Sequence, residues 1–217
     1  MKKVAVILSG CGVNDGAEIH ESVVTLLALD RLGADVICAA PNKPQADVID
    51  HAAGAPADET RNVLVESARI ARGDVTDLAA LRAADVDAVV MPGGFGAAKN
   101  LCTFAQGNDP WEVDPEVARF LREMHAAKKP IGAMCIAPAA VAGVLGGEGV
   151  TLTIGTDEGT ARRIESTGAR HEPCLVDDVV IDHEHKVVST PAYMLAGHVA
   201  EAAAGIEKLC AAVVEMA

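Results

Sequence analysis

Short runs of consecutive apolar residues alternate along this chain with segments whose apolar residues recur at helical spacing. The continuous runs predict strands, and the 3.6-residue periodicity predicts helices. The predicted strands are 3–8, 35–40, 87–91, 130–134 and 151–155, with a hairpin formed by 179–181 and 186–189. The predicted helices are 19–32, 77–84, 114–127, 138–145, 157–166 and 196–216. The segment 61–70 is rich enough in β-branched residues to predict a further strand near the sheet edge.

Continuous rather than alternating apolar runs are typical of strands that are buried on both faces. Strands of this kind, separated by helices, predict an α/β fold with a mostly parallel sheet between two helical layers. In such sheets ligands bind beyond the carboxyl ends of the strands. That rule selects four loops as candidates for a functional site: 9–17, 92–100, 135–138 and 155–158.

The length and composition predict one domain, residues 1–217. A chain of 217 residues, half of them hydrophobic and only 2% aromatic, builds its core from Ala, Val, Leu and Ile. The formal charge of −13, from 18 basic and 31 acidic residues, disfavours binding to nucleic acid or to an anionic membrane surface.

The N-terminus and the cysteines both bear on the predicted compartment. The apolar run 4–8 is shorter than the roughly 7–15 residues of a signal-peptide core, so it predicts a buried first strand. The six cysteines form no C-x-x-C pair, which favours free thiols in a reducing compartment. A cytoplasmic location is therefore predicted.

The segment Gly132-Ala133-Met134-Cys135-Ile136-Ala137-Pro138 takes a strand directly into a helix with a cysteine at the corner. A sharp turn of this type exposes the side chain and directs backbone amides at it, which favours the thiolate and makes Cys135 a candidate nucleophile. The alternative is that Cys135 is a small buried hydrophobe, as many cysteines are.

A glycine-rich turn, Pro92-Gly93-Gly94-Phe95-Gly96, ends a second predicted strand at the same sheet edge. Its amides can approach a ligand closely, so Gly94 and Phe95, with the amide of Ile136, are candidates for an oxyanion hole. A turn without further function is the alternative, but the two motifs together favour a catalytic site.

Two carboxyl groups precede or begin the first predicted helix. Glu18 and Glu21 lie three residues apart and therefore on one helical face. For Glu18 we favour stabilisation of the helix N-terminus, whereas for Glu21 we favour a functional role, as a proton carrier beside the thiol.

At these residues the chain resembles the isoprenoid-biosynthesis glyoxalase family, also called the enhancing lycopene biosynthesis, sigma cross-reacting or ES1 family. This family lies within the DJ-1/PfpI, class I amidotransferase-like superfamily. The matching stretches run in order from residue 9 to 194. They are SGCGVNDGAEIHE, TRNVLVESARI, VMPGGFGAAKNL, GAMCIAPA, TIGTDEGTA and VVSTPAYM.

The resemblance implies a flavodoxin-like fold, a homodimer, and no metal or organic cofactor. It also implies a glyoxalase that converts glyoxal or methylglyoxal, small α-oxoaldehydes, to glycolate or lactate without glutathione. By motif position, Cys135 is then the nucleophile, Glu21 the acid and base, and Gly94 with Ile136 the oxyanion contacts.

One departure from related families concerns histidine. DJ-1-like and amidotransferase relatives carry a histidine near the thiol, but here the corresponding segment is Thr153-Ile154-Gly155-Thr156-Asp157. The absence of histidine, and of any H-x-E pair, argues against glutaminase activity and predicts slow turnover. The alternative function is a redox-responsive regulatory or binding protein whose activity on dicarbonyls is incidental.

Four further residues are pocket candidates. Cys11, in a loop at the functional edge, is a candidate to resolve an oxidised Cys135, but a free, partly buried thiol is favoured. His20 lies between the two acids and either lines the pocket or is an ordinary residue on the helix surface. Asn100 is a candidate for binding an anionic product, with capping or packing as the alternative. Asp157 either caps its helix, which is favoured, or polarises water. The His183-Glu184-His185 cluster supplies too few converging ligands to predict a metal site.

Overall fold

The computed structural model describes residues 1–107 and 109–217. Its strands, in chain order, are Lys3–Ile7 (β1), Asp35–Ala40 (β2), Ile49–Asp50 (β3), Ala55–Pro56 (β4), Thr76–Asp77 (β5), Ala88–Met91 (β6), Ile131–Met134 (β7), Thr151–Leu152 (β8), Arg170–His171 (β9), Val180–Asp182 (β10) and Val187–Thr190 (β11). Its α-helices are Ile19–Arg31 (α1), Val63–Ile70 (α2), Phe95–Lys99 (α3), Pro115–Ala126 (α4), Pro138–Leu145 (α5), Glu158–Glu165 (α6) and Val199–Met216 (α7). Short 3-10 helices lie at Leu78–Ala80, Ala83–Asp85, Phe104–Gln106, Gly146–Glu148 and Ala192–Met194.

A seven-stranded sheet in the order β10-β11-β7-β6-β1-β2-β5 forms the centre of the fold. Every neighbouring pair in it is parallel except β10 with β11, which is the predicted hairpin. The strands β1, β6 and β7 are almost entirely buried, as their continuous apolar sequences predict. The predicted α/β fold with a mostly parallel sheet is confirmed.

Two apolar clusters cover the two faces of this sheet. On one face α4, α5 and the single buried residue Ile164 of α6 pack against the strands. On the other face the buried residues come from α1, α7 and the first residue of α2. The predicted two-sided helical cover is therefore present. Within the described residues no helix has the combination of length and apolarity that crossing a bilayer requires.

Most of the segment 61–70 forms the helix α2, so the strand predicted there is wrong. Asn62 lies in the extended region and its side chain accepts a hydrogen bond from the Val65 amide at 3.1 Å, which caps α2. Ser67 and Glu66 are buried in the same helix. The cap and the packing of this face outweigh the β-branched content from which the strand was predicted.

Three other boundaries differ from prediction. The segment 77–84 forms two separate 3-10 turns instead of one helix, and the loop predicted at 92–100 contains α3. The strand predicted at 151–155 is shortened to β8, which pairs with β9 in a small separate sheet. Each difference concerns a segment of only a few residues, where tertiary contacts decide the conformation.

The apolar residues whose spacing predicts α1 are Ile19, Val23, Leu26, Leu27 and Leu29, and of these only Leu29 is fully buried. Ile19, Val23 and Leu27 are between 42% and 50% exposed. The buried positions are Glu21, Ser22, Thr25, Ala28 and Leu29. The N-terminal half of α1 therefore directs polar side chains into the protein at the carboxyl edge of the sheet.

Asp114 caps α4, as its position before Pro115 predicts. Its Oδ1 accepts hydrogen bonds from the amides of Glu116 and Val117 at 3.0 and 3.4 Å, while Oδ2 pairs with Lys43 Nζ at 2.9 Å. We expect Asp114→Ala to lower the free energy of unfolding by about 1–2 kcal/mol, because it removes the cap and the ion pair.

Asp114→Asn is the matched variant, since its side-chain carbonyl keeps the cap while the charge is lost. In urea titrations of both variants, Asp114→Asn should lower the free energy of unfolding by less than half as much as Asp114→Ala. Equal losses for the two variants would show that the ion pair, and not the cap, stabilises this helix.

Candidate active site

Cys135 lies at a sharp bend between β7 and α5. Its φ of +58° is in the left-handed region, which costs a non-glycine residue free energy and is found at functional bends of this kind. The Cys135 amide donates to the carbonyl of Thr190 at 3.0 Å, at the end of the neighbouring strand β11. The strained conformation is therefore held by the sheet, and it directs the thiol beyond the sheet edge.

The turn after β6 makes room for this thiol. A Cβ atom on Gly93 would lie 2.5 Å from Cys135 Cβ and 3.0 Å from its sulfur, so only glycine fits. Gly94 has a φ of +87°, and a Cβ there would meet the Glu18 amide and the Gly16 carbonyl, each at 2.5 Å. The two glycines thus allow the backbone of this turn to contact both α1 and the bend.

Glu21 is fully buried beside the same glycine. Its Oε2 accepts from the Gly93 amide at 2.8 Å and its Oε1 from the Tyr193 amide at 3.2 Å. A Cβ atom on Gly93 would lie 2.9 Å from Glu21 Oε2 and 3.0 Å from Cys135 Sγ, which shows how closely the carboxyl group approaches the thiol. Glu18 caps α1 by accepting from the Glu21 amide at 2.6 Å, the role favoured for it.

Burial raises the pKa of Glu21 to about 7, against 4.5 for an ordinary glutamate. The amides of Tyr193 and Gly93 oppose this shift, because they donate hydrogen bonds to the ionised carboxylate, whereas the charge of Glu18 adds to it. The carboxyl group therefore changes its protonation state near neutral pH, which suits a group that both accepts and returns a proton.

Burial also raises the pKa of the Cys135 thiol well above 9, and the negative charge of Glu21 raises it further. The amides of Gly94 and Ile136 lower it but do not compensate. The prediction of a thiolate at neutral pH is therefore wrong for the resting site, because two anions cannot share this dry space. The thiol keeps its proton while Glu21 is ionised.

The three amides predicted for an oxyanion hole have different partners. Those of Gly94 and Ile136 face the sulfur of Cys135. The amide of Phe95 donates to the Val13 carbonyl at 2.7 Å and begins α3, so it is not available to a ligand. The inclusion of Phe95 in the oxyanion hole is therefore wrong, although its side chain does line the cavity described next.

A cavity of about 400 Å³ opens in front of the thiol. Most of its wall is apolar, and the polar side chains in it are few. Its lining residues are Val13, Glu18, Gly94, Phe95, Ala98, Phe104, Ala105, Cys135, Ile136, Thr160, Arg163, Tyr193 and Met194. A concave apolar pocket with a nucleophile and a few polar groups is the usual form of a small-molecule site.

His20 and Asp157 border this cavity without lining it. His20 Nδ1 is 2.8 Å from the hydroxyl of Tyr193, which itself lines the cavity, and the His20 ring is largely exposed. Asp157 caps α6 by accepting from the Thr160 amide at 2.7 Å, the favoured role. The water-polarising role for Asp157 is not supported, because its carboxylate is turned to its own helix.

Asn100 and Cys11 lie outside the cavity lining. Asn100 is 1% exposed, and its amide group donates to the carbonyls of Ser9 and Asp15 and accepts from the Ala46 amide. These bonds hold three loops together and leave it unable to bind a product. Burial raises the pKa of Cys11, whose charged neighbours are Arg69 and Glu66, groups that do not line the cavity.

Thr160 and Arg163 lie in the cavity wall, although no sequence pattern predicted them there. They lie three residues apart on α6 and therefore share a helical face. The available signal was the cap at Asp157, since it begins a helix at the functional edge of the sheet. No metal cluster of three or more His, Cys, Asp or Glu side chains occurs in residues 1–107 and 109–217.

Comparisons with known proteins place the chain in a family. The model of the DJ-1/PfpI family matches residues 2–190. The ES1 protein homolog, mitochondrial, of Rattus norvegicus is 50% identical over 202 residues, which cover 88% of this chain and 75% of the relative. The human glutamine amidotransferase-like class 1 domain-containing protein 3, mitochondrial, is 52% identical with the same coverage.

A solved structure from Ehrlichia chaffeensis is also similar to this chain over its whole length. It is an isoprenoid biosynthesis protein with an amidotransferase-like domain, 40% identical, with a TM-score of 0.93, and the match covers 100% of this chain and 99% of that one. Its fold and the family model confirm the flavodoxin-like architecture implied by the resemblance.

The names of the rat and human relatives overturn one prediction. Both are mitochondrial proteins, which contradicts the cytoplasmic location inferred from the cysteines and the N-terminal run. A reducing environment, which is what the cysteines indicate, does not identify a compartment. The family model and the identity to the rat and human proteins show that this chain belongs to the DJ-1/PfpI family, among the ES1 proteins.

Proposed function

We propose that the protein is a cofactor-independent glyoxalase that converts glyoxal or methylglyoxal to glycolate or lactate. The observation that carries the proposal is the pairing of Cys135, at a strained bend, with the buried carboxyl group of Glu21, whose pKa is about 7. The proposed chemistry needs no metal or organic cofactor, because it transfers protons and forms and then breaks one carbon–sulfur bond.

Family membership supports an enzymatic role without fixing the reaction. The DJ-1/PfpI superfamily includes proteases and glyoxalases. The Ehrlichia protein is named for isoprenoid biosynthesis, and a link between dicarbonyl removal and that pathway is part of the proposal. The names of the rat and human relatives specify no glyoxalase reaction.

The first step forms a carbon–sulfur bond. Ionised Glu21 takes the proton of the Cys135 thiol while the sulfur adds to the aldehyde carbon, giving a hemithioacetal. The negative charge that develops on the aldehyde oxygen meets the amides of Gly94 and Ile136, which already face the sulfur. Glu21 then returns its proton to that oxygen.

The second step isomerises the bound substrate. Glu21 removes the hydrogen from the former aldehyde carbon, while the hydroxyl proton of that carbon passes to the neighbouring oxygen through the enediol stage. Glu21 then delivers its proton to the neighbouring carbon, which gives a thioester. Water then cleaves the carbon–sulfur bond, which releases the 2-hydroxy acid and restores the thiol. In total one water is added, the aldehyde is oxidised, and the ketone or second aldehyde is reduced to an alcohol.

Glu21 also accounts for the missing histidine. A carboxylate with an ordinary pKa is a weak base for a thiol, but one with a pKa of about 7 is matched to neutral pH. In this proposal Glu21 therefore both accepts the proton of the thiol and returns it to the substrate. The absence of a histidine beside the thiol then does not by itself require slow turnover.

The alternative, a redox-responsive regulatory protein, is less well supported. Peroxide reacts with thiolates, and burial together with the charge of Glu21 keeps the Cys135 thiol protonated. An amidotransferase subunit is also disfavoured, since segment 153–157 has no histidine where those enzymes carry one near the thiol, and the sequence contains no H-x-E pair. The homodimer implied by the resemblance stays a prediction.

Removal of the nucleophile tests the proposal directly. Cys135→Ala should abolish glutathione-independent lactate formation from methylglyoxal, because no other thiol lines the cavity among the described residues. Cys11→Ala is the matched control and should retain full activity. Lactate formation by the Cys135 variant at the wild-type rate would exclude the mechanism.

The pH dependence of the reaction tests the role of Glu21. We expect kcat/KM to rise about tenfold per pH unit below pH 7 and to level off above it, since the ionised carboxylate is the base. Glu21→Gln should abolish this rise with pH and lower the rate by about 10²–10⁴-fold. An unchanged pH profile in the glutamine variant would remove Glu21 from the mechanism.

The same pKa shift predicts how stability depends on pH. Between pH 4.5 and about 7 the unfolded chain has lost the Glu21 proton while the folded protein retains it. Stability therefore falls as pH rises through this window, by roughly 3 kcal/mol in total, and no further above it. The difference between wild type and Glu21→Gln in urea titrations at pH 4.5, 6 and 8 isolates this contribution. A difference that does not vary with pH would show that burial leaves the carboxyl group unshifted.

A further inference from the structure

We propose that Arg163 binds an anionic group at the end of the substrate remote from the aldehyde, so that this site takes an extended α-oxoaldehyde carboxylate. The inference rests on the proposed function for its reacting end, the thiol of Cys135. It extends that function by assigning a substrate class that neither glyoxal nor methylglyoxal represents.

The first observation is the size of the cavity. Its volume of about 400 Å³ lies within the range of roughly 300–1,000 Å³ that is usual for pockets that hold drug-sized ligands. Glyoxal and methylglyoxal have only two and three carbons and leave most of that space to water. The wall that would face the remaining space includes the apolar side chains of Phe95, Phe104 and Met194. A longer carbon chain would bury this surface, and methylglyoxal cannot.

The second observation is charge. Arg163 is the one cationic side chain among the described residues that line the cavity, and Glu18 is the one acid besides the thiol. The chain as a whole carries a formal charge of −13, so its overall field repels anions. A guanidinium in this mostly apolar wall therefore provides the local attraction that an anionic substrate needs.

The guanidinium of Arg163 is held in a fixed orientation. Its central carbon lies 4.0 Å from the centre of the Phe104 ring and 5.8 Å from that of Trp111. The two rings meet edge to face at 4.8 Å, and Arg163 Nη2 donates to the Phe104 carbonyl at 3.0 Å. Stacking and this bond fix the plane of the group, so less conformational freedom is lost when an anion binds.

The ion pair that Arg163 already makes leaves part of the group available. Nε and Nη2 both donate to the same oxygen of Asp109, at 3.3 and 2.9 Å, and that carboxylate is largely exposed. Nη1 makes no hydrogen bond with any residue in the described part of the chain. Exposed ion pairs of this type contribute little, so a substrate carboxylate can use Nη1 and compete with Asp109 for the rest.

Kinetics with two substrates of equal chain length test this inference. The anionic probe is 4,5-dioxopentanoate, whose product after addition of water is 2-hydroxypentanedioate, and the uncharged probe is 2-oxopentanal. We expect the wild-type protein to show a KM for the anion about tenfold below that for the uncharged aldehyde. Arg163→Gln should remove this preference by raising the KM for the anion about tenfold.

Two further variants separate recognition from folding. Arg162→Gln changes the neighbouring arginine, which is exposed and pairs with Glu158 on the same helix, and should keep the preference. Asp109→Asn removes the carboxylate that competes for Arg163 and should increase the preference for the anionic probe. Thermal unfolding of each variant shows whether it folds. Equal KM values for the two probes in the wild type, or a preference that survives in Arg163→Gln, would overturn the inference.

A binding measurement distinguishes this failure from failure of the proposed function. Calorimetry with the two products, 2-hydroxypentanedioate and 2-hydroxypentanoate, needs no catalysis. Tighter binding of the dianion by about tenfold, lost in Arg163→Gln and retained in Arg162→Gln, supports the anion site even if no aldehyde is turned over. Equal binding of both products would overturn the anion site even if glyoxalase activity is present.

Discussion

The site depends on the competition between two acidic groups, Glu21 and Cys135, for one negative charge in a buried space. Burial raises the pKa of both, and the charge of Glu21 raises that of Cys135 further, whereas a hydrogen bond with the Cys135 side chain lowers the pKa of Glu21. Backbone amides offset part of this cost. Those of Gly93 and Tyr193 serve the carboxylate, and those of Gly94 and Ile136 serve the sulfur. The negative charge can therefore pass from the carboxylate to the sulfur and remain hydrogen-bonded to backbone amides on either group, as proton transfer from a thiol requires.

These amides come from three loops that only the parallel sheet brings together. The turn after β6, the bend after β7 and the 3-10 turn after β11 all lie at the carboxyl edge, because the three strands are parallel neighbours. Gly93 has no space for a Cβ, so the first two loops are in direct contact beside the thiol. The left-handed conformation of Cys135 adds strain, and the hydrogen bond from its amide to Thr190 compensates part of it.

The sequence was sufficient to predict the sheet but not the polarity of the first helix. Continuous apolar runs indicate buried parallel strands whatever covers them, and those strands are present. Of the apolar residues whose spacing predicts α1, Leu29 is buried, but Ile19, Val23 and Leu27 are partly exposed, while Glu21 and Thr25 are buried. A helix that directs a functional acid inward violates the rule that apolar residues form the inner face, so periodicity fails at the residue that matters most for chemistry.

Side chains that converge from distant segments were also beyond prediction, and Phe95 shows why a motif alone is insufficient. The glycine-rich sequence correctly predicted a turn at the edge of the site. The amide of Phe95 in this turn nevertheless donates to the Val13 carbonyl where α3 begins. Arg163 reaches the cavity because its guanidinium stacks on Phe104, a residue 59 positions away in the chain. No local pattern encodes that stacking, since it depends on how α6 packs beside the 3-10 turn that contains Phe104.

The apolar wall has opposite effects on the two kinds of charge in this cavity. It makes an anion at Glu21 or Cys135 costly, which raises both pKa values, and it makes the attraction of Arg163 for an anion stronger than it would be in water. A bound substrate that fills the cavity would exclude more water and increase both effects. Substrate length would then influence the reaction step as well as binding, because the basicity of Glu21 depends on how dry its surroundings are.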